Sequence, residues 1–156
     1  MKHPSPMTSA IAAARDGMRK GHGGPFGACI VKQEGIIAVA HNTVLRDHDP
    51  TCHAEINAIR QACRKLNTHD LGECALYTTS EPCPMCLGAI YWARIHAVFI
   101  GVTSDVPARA GFDDARIRAE MKRPAKKRRI RFRNGVMASA CRAVFDEWQS
   151  RNGILY

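Results

Sequence analysis

Two short segments constrain this 156-residue chain more than any other part of it: Cys52-His53-Ala54-Glu55 and Glu81-Pro82-Cys83-Pro84-Met85-Cys86. An imidazole and two thiols are donors that zinc prefers. Three protein donors with a fourth position left open make a catalytic site, whereas a closed structural site would need a further Cys or His. A carboxylate at Glu55 has no use in a closed site, but it is the group needed to move protons beside a metal-activated water. The fold must bring the two segments together. Side chains two apart in a helix interior diverge, so His53 and Glu55 converge only where the chain is entering a helix. Asp49-Pro50-Thr51 supplies such an entry. Cys83 and Cys86 are one helical turn apart, and Pro82 and Pro84 favour an extended approach with a helix beginning near Cys83. Both segments therefore open helices, where free N–H groups and the positive dipole end stabilise thiolates and developing negative charge.

The rest of the pattern places those helices in an α/β frame. A helix is expected over Met7–Lys20, capped by Thr8 or Ser9 and ended by the glycine-rich Gly21–Gly27. Ala28–Lys32 and Ile36–Ala40 read as strands of a hairpin, with Gly35 supplying the left-handed turn position. Asp49–Leu66 is the clearest helix, capped by Asp49 or Thr51, with Ile56, Ile59, Ala62, Cys63 and Leu66 on one face. Cys74–Thr78 and Ala97–Gly101 read as strands around a short helix, Pro84–Arg94. Beyond them, Arg109–Glu120 is partly helical, Ile130–Phe132 is a candidate edge strand, and Ser139–Gln149 is an amphipathic helix carrying Val144, Phe145 and Trp148. The order predicts a three-layer α/β/α sandwich with one mixed central sheet, a hairpin at its edge and right-handed parallel crossovers after it. The length suits a single domain, residues 1–156.

Charge and cysteine content narrow the function classes. Of the net charge of +9, eight units lie in Lys122–Arg133, so the remainder carries only +1. One basic run is a weak nucleic-acid signal, and a solvated face or charge-protected strand edge explains it as well. No stretch approaches the ~20 apolar residues of a membrane span, and MKHPSPMTSA lacks the apolar core of a secretory signal. A cytoplasmic location follows as the expectation. Seven cysteines cannot all pair within one chain, and in a reducing compartment they suggest metal or thiol chemistry first. Cys29, Cys63, Cys74 and Cys141 lie on apolar faces and read as small buried hydrophobes. Cys52 could crowd the site or add a soft ligand, with packing the favoured role. His22, His41, His48, His69 and His96 lack metal spacing and read as surface or hydrogen-bonding residues.

The order H-x-E…P-C-x-x-C is the signature of zinc nucleobase deaminases, in which the Glu is not a ligand. The segments GGPFGA, DPTCHAE, EPCPMCLGAIYWAR and AGFDD, in that order, resemble bacterial guanine deaminases of the cytidine-deaminase-like superfamily. The likeness is strong from about Gly23 to Asp114 and weaker to Tyr156. It implies a cytidine-deaminase-like fold and one zinc per subunit on His53, Cys83 and Cys86, with Glu55 as proton shuttle. It also implies purine contacts from Asn42, Asp114 and Tyr156, with Phe26 and Trp92 as apolar walls. Asp114 would share the proton work. The implied reaction is hydrolysis of guanine to xanthine and ammonia. The implied assembly is a homodimer whose C-terminal segment, about 139–156, is exchanged between subunits. Cys52 departs from the small residue usual before the histidine, and the basic run departs from the family's charge.

Plainer roles stand beside these. Asn42 fits a turn-capping amide, and Asp113 and Asp114 fit a helix start. Trp92 fits a core aromatic, and Tyr156 a frayed end. Guanosine deamination and, less readily, adenosine deamination on tRNA share the zinc motifs and remain open at the level of sequence.

Overall fold

The computed structural model describes residues 5–155, so Tyr156 lies outside the described residues. The chain falls into two compact units that divide between Asp114 and Ala115.

The first unit begins with α1, Pro6–Arg19. Ser5 caps it, accepting a hydrogen bond from the Thr8 N–H, and Pro6 takes a first-turn position where a missing donor costs nothing. The cap therefore lies three residues before the expected Thr8. The hairpin follows as β1, Gly27–Lys32, and β2, Gly35–His41. Its turn departs from expectation: Gln33 takes the left-handed conformation at φ 54°, and Gly35 simply starts β2. A short helix that sequence reasoning passed over, α2, spans Val44–Asp47. Then come α3, Ala54–Leu66; β3, Cys74–Ser80; α4, Pro84–Trp92; β4, Ala97–Val102; and α5, Asp105–Arg109.

The strands form one mixed sheet in the order β2-β1-β3-β4. β1 pairs antiparallel with both β2 and β3, and only β3 and β4 run parallel. The parallel crossover is thus the single one through α4, fewer than the sequence pattern suggested.

Period-two alternation on β1 sends its side chains to two cores. Ala28 and Ile30 join Ala54, Ala58 and Ala62 of α3 and Ile90 of α4 on one face. Cys29 and Val31 pack with Ala10 of α1 on the other. This is the three-layer arrangement. Contact on the α1 side is close: a Cβ on Gly27 would lie 2.0 Å from the Ala10 carbonyl oxygen, so glycine is what lets helix and strand touch. The α3 face differs from the expected isoleucine stripe. Ala54, Ala58 and Ala62 are fully buried, while Ile59, Cys63 and Leu66 are only partly covered. Small residues at i, i+4 and i+8 let the helix lie low on the sheet.

The second unit holds α6, Ala115–Lys122, a 3₁₀ turn at Ala125–Lys127, and α7, Ala138–Ser150. None of its described residues is buried. The edge strand expected at Ile130–Phe132 does not form. That segment is irregular, and the Arg128 guanidinium sits 5.5 Å over the Phe132 ring. Cys141, expected to be buried, is exposed. No helix among the described residues is long and apolar enough to cross a membrane.

Candidate metal centre

Two helix starts meet beneath one end of the sheet. His53 is the N-cap of α3 and Cys83 the N-cap of α4, each with extended backbone (ψ 159° and 167°). Helix α3 does not start at Asp49. Asp49 instead closes a tight turn, accepting hydrogen bonds from the Thr51 N–H and hydroxyl, each at 2.7 Å. That turn delivers His53 to the cap, so His53 and Glu55 straddle the helix entry as their spacing requires. Pro84 fixes the first residue of α4, and Cys86 follows one turn after the cap.

The donors converge. His53 Nδ1 lies 3.6 Å from Cys83 Sγ and 3.5 Å from Cys86 Sγ, and all three donor atoms lie within 4.8 Å of one another. Tetrahedral zinc with Zn–S near 2.3 Å and Zn–N near 2.0–2.1 Å has ligand edges of roughly 3.6 Å. The two His53 edges match those of a tetrahedral zinc site. No fourth His, Cys, Asp or Glu joins it among the described residues, which leaves one coordination position open.

The electrostatics follow from burial and from the shared thiol proton. Hydrogen bonding from Cys86, aided by His53, pulls the Cys83 thiol down to about 4 against the cost of burial. The same bond and burial push Cys86 well above an ordinary thiol. Bonding to Cys83 raises His53. Glu55 is 5 % exposed on the first turn of α3, and burial raises its carboxyl above the usual range. A raised carboxyl beside a metal position can both take and return a proton near neutral pH.

Around the cluster, the sequence-predicted residues occupy distinct places. Asn42 is 5 % exposed just beyond β2. Its Oδ1 accepts from the Val44 N–H at 3.1 Å, the turn-capping role. Its Nδ2 donates to nothing among the described residues. Every fully buried side-chain N or O there has a partner, so this amide group faces solvent. Gly23 explains how Asn42 is held: a Cβ at that position would lie 2.1 Å from Oδ1. Phe26 packs on the core and meets Phe112 edge-on at 5.0 Å. Phe112, inside AGFDD, is an aromatic that sequence reasoning left unassigned. Asp114 is half-buried immediately before α6. Trp92 ends α4 and is 70 % exposed. It stands nine residues from Cys83, roughly 13 Å along a helix axis, so the structure does not bring it to the cluster. Cys52 is buried, donates to Asp49 Oδ2 at 3.3 Å and stays outside the metal cluster, the packing role.

Two further residues hold the centre together. Asn57 Nδ2 reaches His41 O at 3.0 Å, Thr43 Oγ1 at 2.8 Å and Cys52 O at 3.4 Å, tying the segment after β2 to the entry of α3. Glu81 Oε2 accepts from the Ser104 N–H at 3.0 Å, fixing the approach to Cys83 against the end of β4. The available sequence signal for Asn57 was its position one turn beyond His53, within C-H-A-E-I-N.

Residues 1–102 match the cytidine and deoxycytidylate deaminase zinc-binding region. The chain is 51 % identical over 132 residues to a guanine deaminase of Bacillus subtilis, covering 85 % of each chain. The crystal structure of guanine deaminase from Bacillus subtilis superposes with a TM-score of 0.89 at 46 % identity, covering 96 % of this chain and 95 % of that one. A crystal structure solved with 2,6-diaminopurine superposes with a TM-score of 0.67 at 29 % identity, covering 97 % of this chain and 84 % of that one. A tRNA-specific adenosine deaminase of Aquifex aeolicus is 49 % identical over 89 residues, covering 57 % of this chain and 58 % of that one.

Proposed function

Because the chain belongs to the cytidine and deoxycytidylate deaminase zinc-binding family, we infer that it is a guanine deaminase, hydrolysing guanine to xanthine and ammonia with one zinc ion per subunit. The observation that carries this is the three-donor cluster with an open position beside a buried carboxylate. The choice of guanine rests on the guanine deaminase relative, whose likeness runs through both units, while the tRNA deaminase likeness covers little more than half the chain.

His53, Cys83 and Cys86 hold the zinc. Bound zinc supplies Lewis-acid chemistry that brings the acidity of a water towards neutral pH. Glu55 takes the proton of the attacking water and delivers it to the ring nitrogen next to C2, N3. The water oxygen bonds to C2, its remaining proton passes through Glu55 or Asp114 to the exocyclic amine, and the bond from C2 to that amine breaks as the C2 carbonyl forms and ammonia leaves. The solvent-facing Nδ2 of Asn42 donates to the purine, and Phe26 forms an apolar wall. Trp92 is a further apolar wall of the base, and Tyr156, carried by the exchanged C-terminal segment, is a further purine contact in the partner's site. The subunit is one deaminase domain, and its C-terminal segment, about 139–156, is exchanged within a homodimer. The uncovered apolar side chains of α7 support that exchange. Zinc-binding thiolates suit a reducing compartment, the cytoplasm. The nucleic-acid role of Lys122–Arg133 is not needed.

The test is ammonia release from zinc-loaded protein given guanine and guanosine side by side. Guanine alone should turn over. Glu55→Gln should keep stoichiometric zinc and lose about 10²–10⁴-fold in kcat. Turnover of guanosine alone, or a fully active Glu55→Gln, defeats the assignment of substrate or of shuttle respectively.

A further inference from the structure

Apart from the metal centre, a cleft of about 310 Å³ opens between α2, the outer edge of β2 and α3. Its charge is unbalanced. Arg46, Arg60 and Arg64 line it against one carboxylate, Asp47. Asp47 is already held by Arg46, at 2.7 Å to one oxygen and 3.0 Å to the other. Arg60 hydrogen-bonds only uncharged groups, with Nη1 3.5 Å from Cys52 Sγ and Nη2 3.4 Å from Thr51 Oγ1, and the Asp49 carboxylate acts on it from behind them without an ion pair. The Arg64 guanidinium has no hydrogen bond or ion pair among the described residues. Arg60 and Arg64 are also four apart on one helix face, where like charges repel. Two guanidiniums one helical turn apart, neither locked in an ion pair, on a polar concave wall are the donor set that planar forked recognition of phosphate uses.

We propose that this cleft binds a phosphate group between Arg60 and Arg64, either as free phosphate or as the phosphomonoester of a sugar-sized alcohol. The volume of about 310 Å³ stands at the small end of ligand pockets, about 300–1,000 Å³, which suits a group of that size. The proposal is independent of the substrate assigned to the zinc centre. It does bear on that centre's neighbours. The Thr43 N–H donates to the Cys52 carbonyl at 2.9 Å at the back of the cleft, between the segments that carry Asn42 and His53. An anion held there braces both.

Titration calorimetry of the zinc-loaded full chain with inorganic phosphate and with ribose 5-phosphate tests this. Saturable binding of at least one probe is expected, weakening with added salt. It should fall tenfold or more in the double variant Arg60→Gln/Arg64→Gln and stay unchanged in Arg142→Gln, an exposed arginine of α7. Tighter ribose 5-phosphate identifies the ester as the ligand, and equal affinities identify the free ion. Arg60→Lys/Arg64→Lys, which keeps the charge and loses the forks, should fall between wild type and the glutamine variant. An unchanged melting temperature of the unliganded glutamine variant shows that the fold persists. Absence of saturable binding overturns the proposal. So does equal affinity in the glutamine variant, which would place the anion on the zinc.

Discussion

Helices α1 and α7 have the same kind of sequence and opposite fates. Both are amphipathic and of similar length, at 14 and 13 residues. α1 buries Ala10, Ala14 and Gly17 against the sheet, close enough that Gly27 can carry no side chain. α7 buries nothing: Val144, Phe145 and Trp148 are all exposed, Phe145 at 70 %. An apolar stripe states that a helix needs cover, and says nothing of where the cover comes from. For α1 the cover is the chain's own sheet. For α7 no such cover is found among the described residues, and the proposed exchange is the arrangement that would supply it.

The largest effects should come from the covered unit. Ile30 is fully buried, and Ile30→Ala should cost about 2–5 kcal/mol in urea unfolding. Phe145→Ala should cost no more than about 0.5 kcal/mol in protein dilute enough to be monomeric, the value for an exposed site. At concentrations where subunits associate, its cost should rise towards that of a core residue. Paired sedimentation and unfolding at two concentrations would read this. A small cost at every concentration breaks the exchange and leaves α7 uncovered.

Two glycines sharpen the same contrast within the first unit. Gly27→Ala would push a methyl group to 2.0 Å from the Ala10 carbonyl, and should cost about 1–3 kcal/mol by forcing α1 off the sheet. Gly88 lies mid-way along α4 with nothing within 4 Å of its would-be Cβ. Gly88→Ala should stabilise by about 0.5–1 kcal/mol. If Gly88→Ala is destabilising instead, the outer face of α4 is covered in solution.

The legible parts of the molecule were those where local chemistry and tertiary demand agree. The strand-forming run Ala28–Lys32, the prolines at the start of α4 and the spacing of His53 with Glu55 each point to what forms. The misreadings share a cause. Asp49-Pro50-Thr51 is a good cap sequence, yet the Asp49 side chain uses its acceptor on the Thr51 N–H and hydroxyl, closing a turn that leaves His53 as the cap. Ile130–Phe132 has strand-forming residues but no neighbouring strand to pair with among the described residues. Gln33 rather than Gly35 takes the positive φ, since a register shift between Ile30 and Val31 moves the turn back. Asn57 and Gly23 could not be found from composition or period. Their roles are distances to His41, Thr43, Cys52 and Asn42 that only the folded chain defines.

Gly23 gives a smaller, functional effect. Gly23→Ala forces the Asn42 carboxamide aside, and should raise KM for guanine about tenfold with little change in kcat, the pattern of lost uniform binding. An equal fall in kcat would show that Asn42 acts on the transition state instead.

The smallest expected effect separates the two units by pH. His41 lies behind Asn42, with its Nε2 3.0 Å from His22 Nδ1 and its ring stacked on that of His22 at 5.2 Å. Burial lowers the His41 pKa below its usual 6.5, with His22, Arg46 and Lys20 adding to the shift and Asp16 opposing it. The sign follows. Above pH ~6.5 both folded and unfolded chains hold the ring neutral, and nothing is lost. As pH falls through 6.5 the unfolded chain takes up a proton that the folded one refuses, so stability declines until the folded value is passed. The urea midpoint of zinc-loaded protein should therefore drop between pH 7.5 and 5.5 by more in wild type than in His41→Gln. Equal drops would place the acid sensitivity elsewhere, at the metal ligands. Phe145→Ala should leave the difference between the two untouched, because the second unit has no histidine at all.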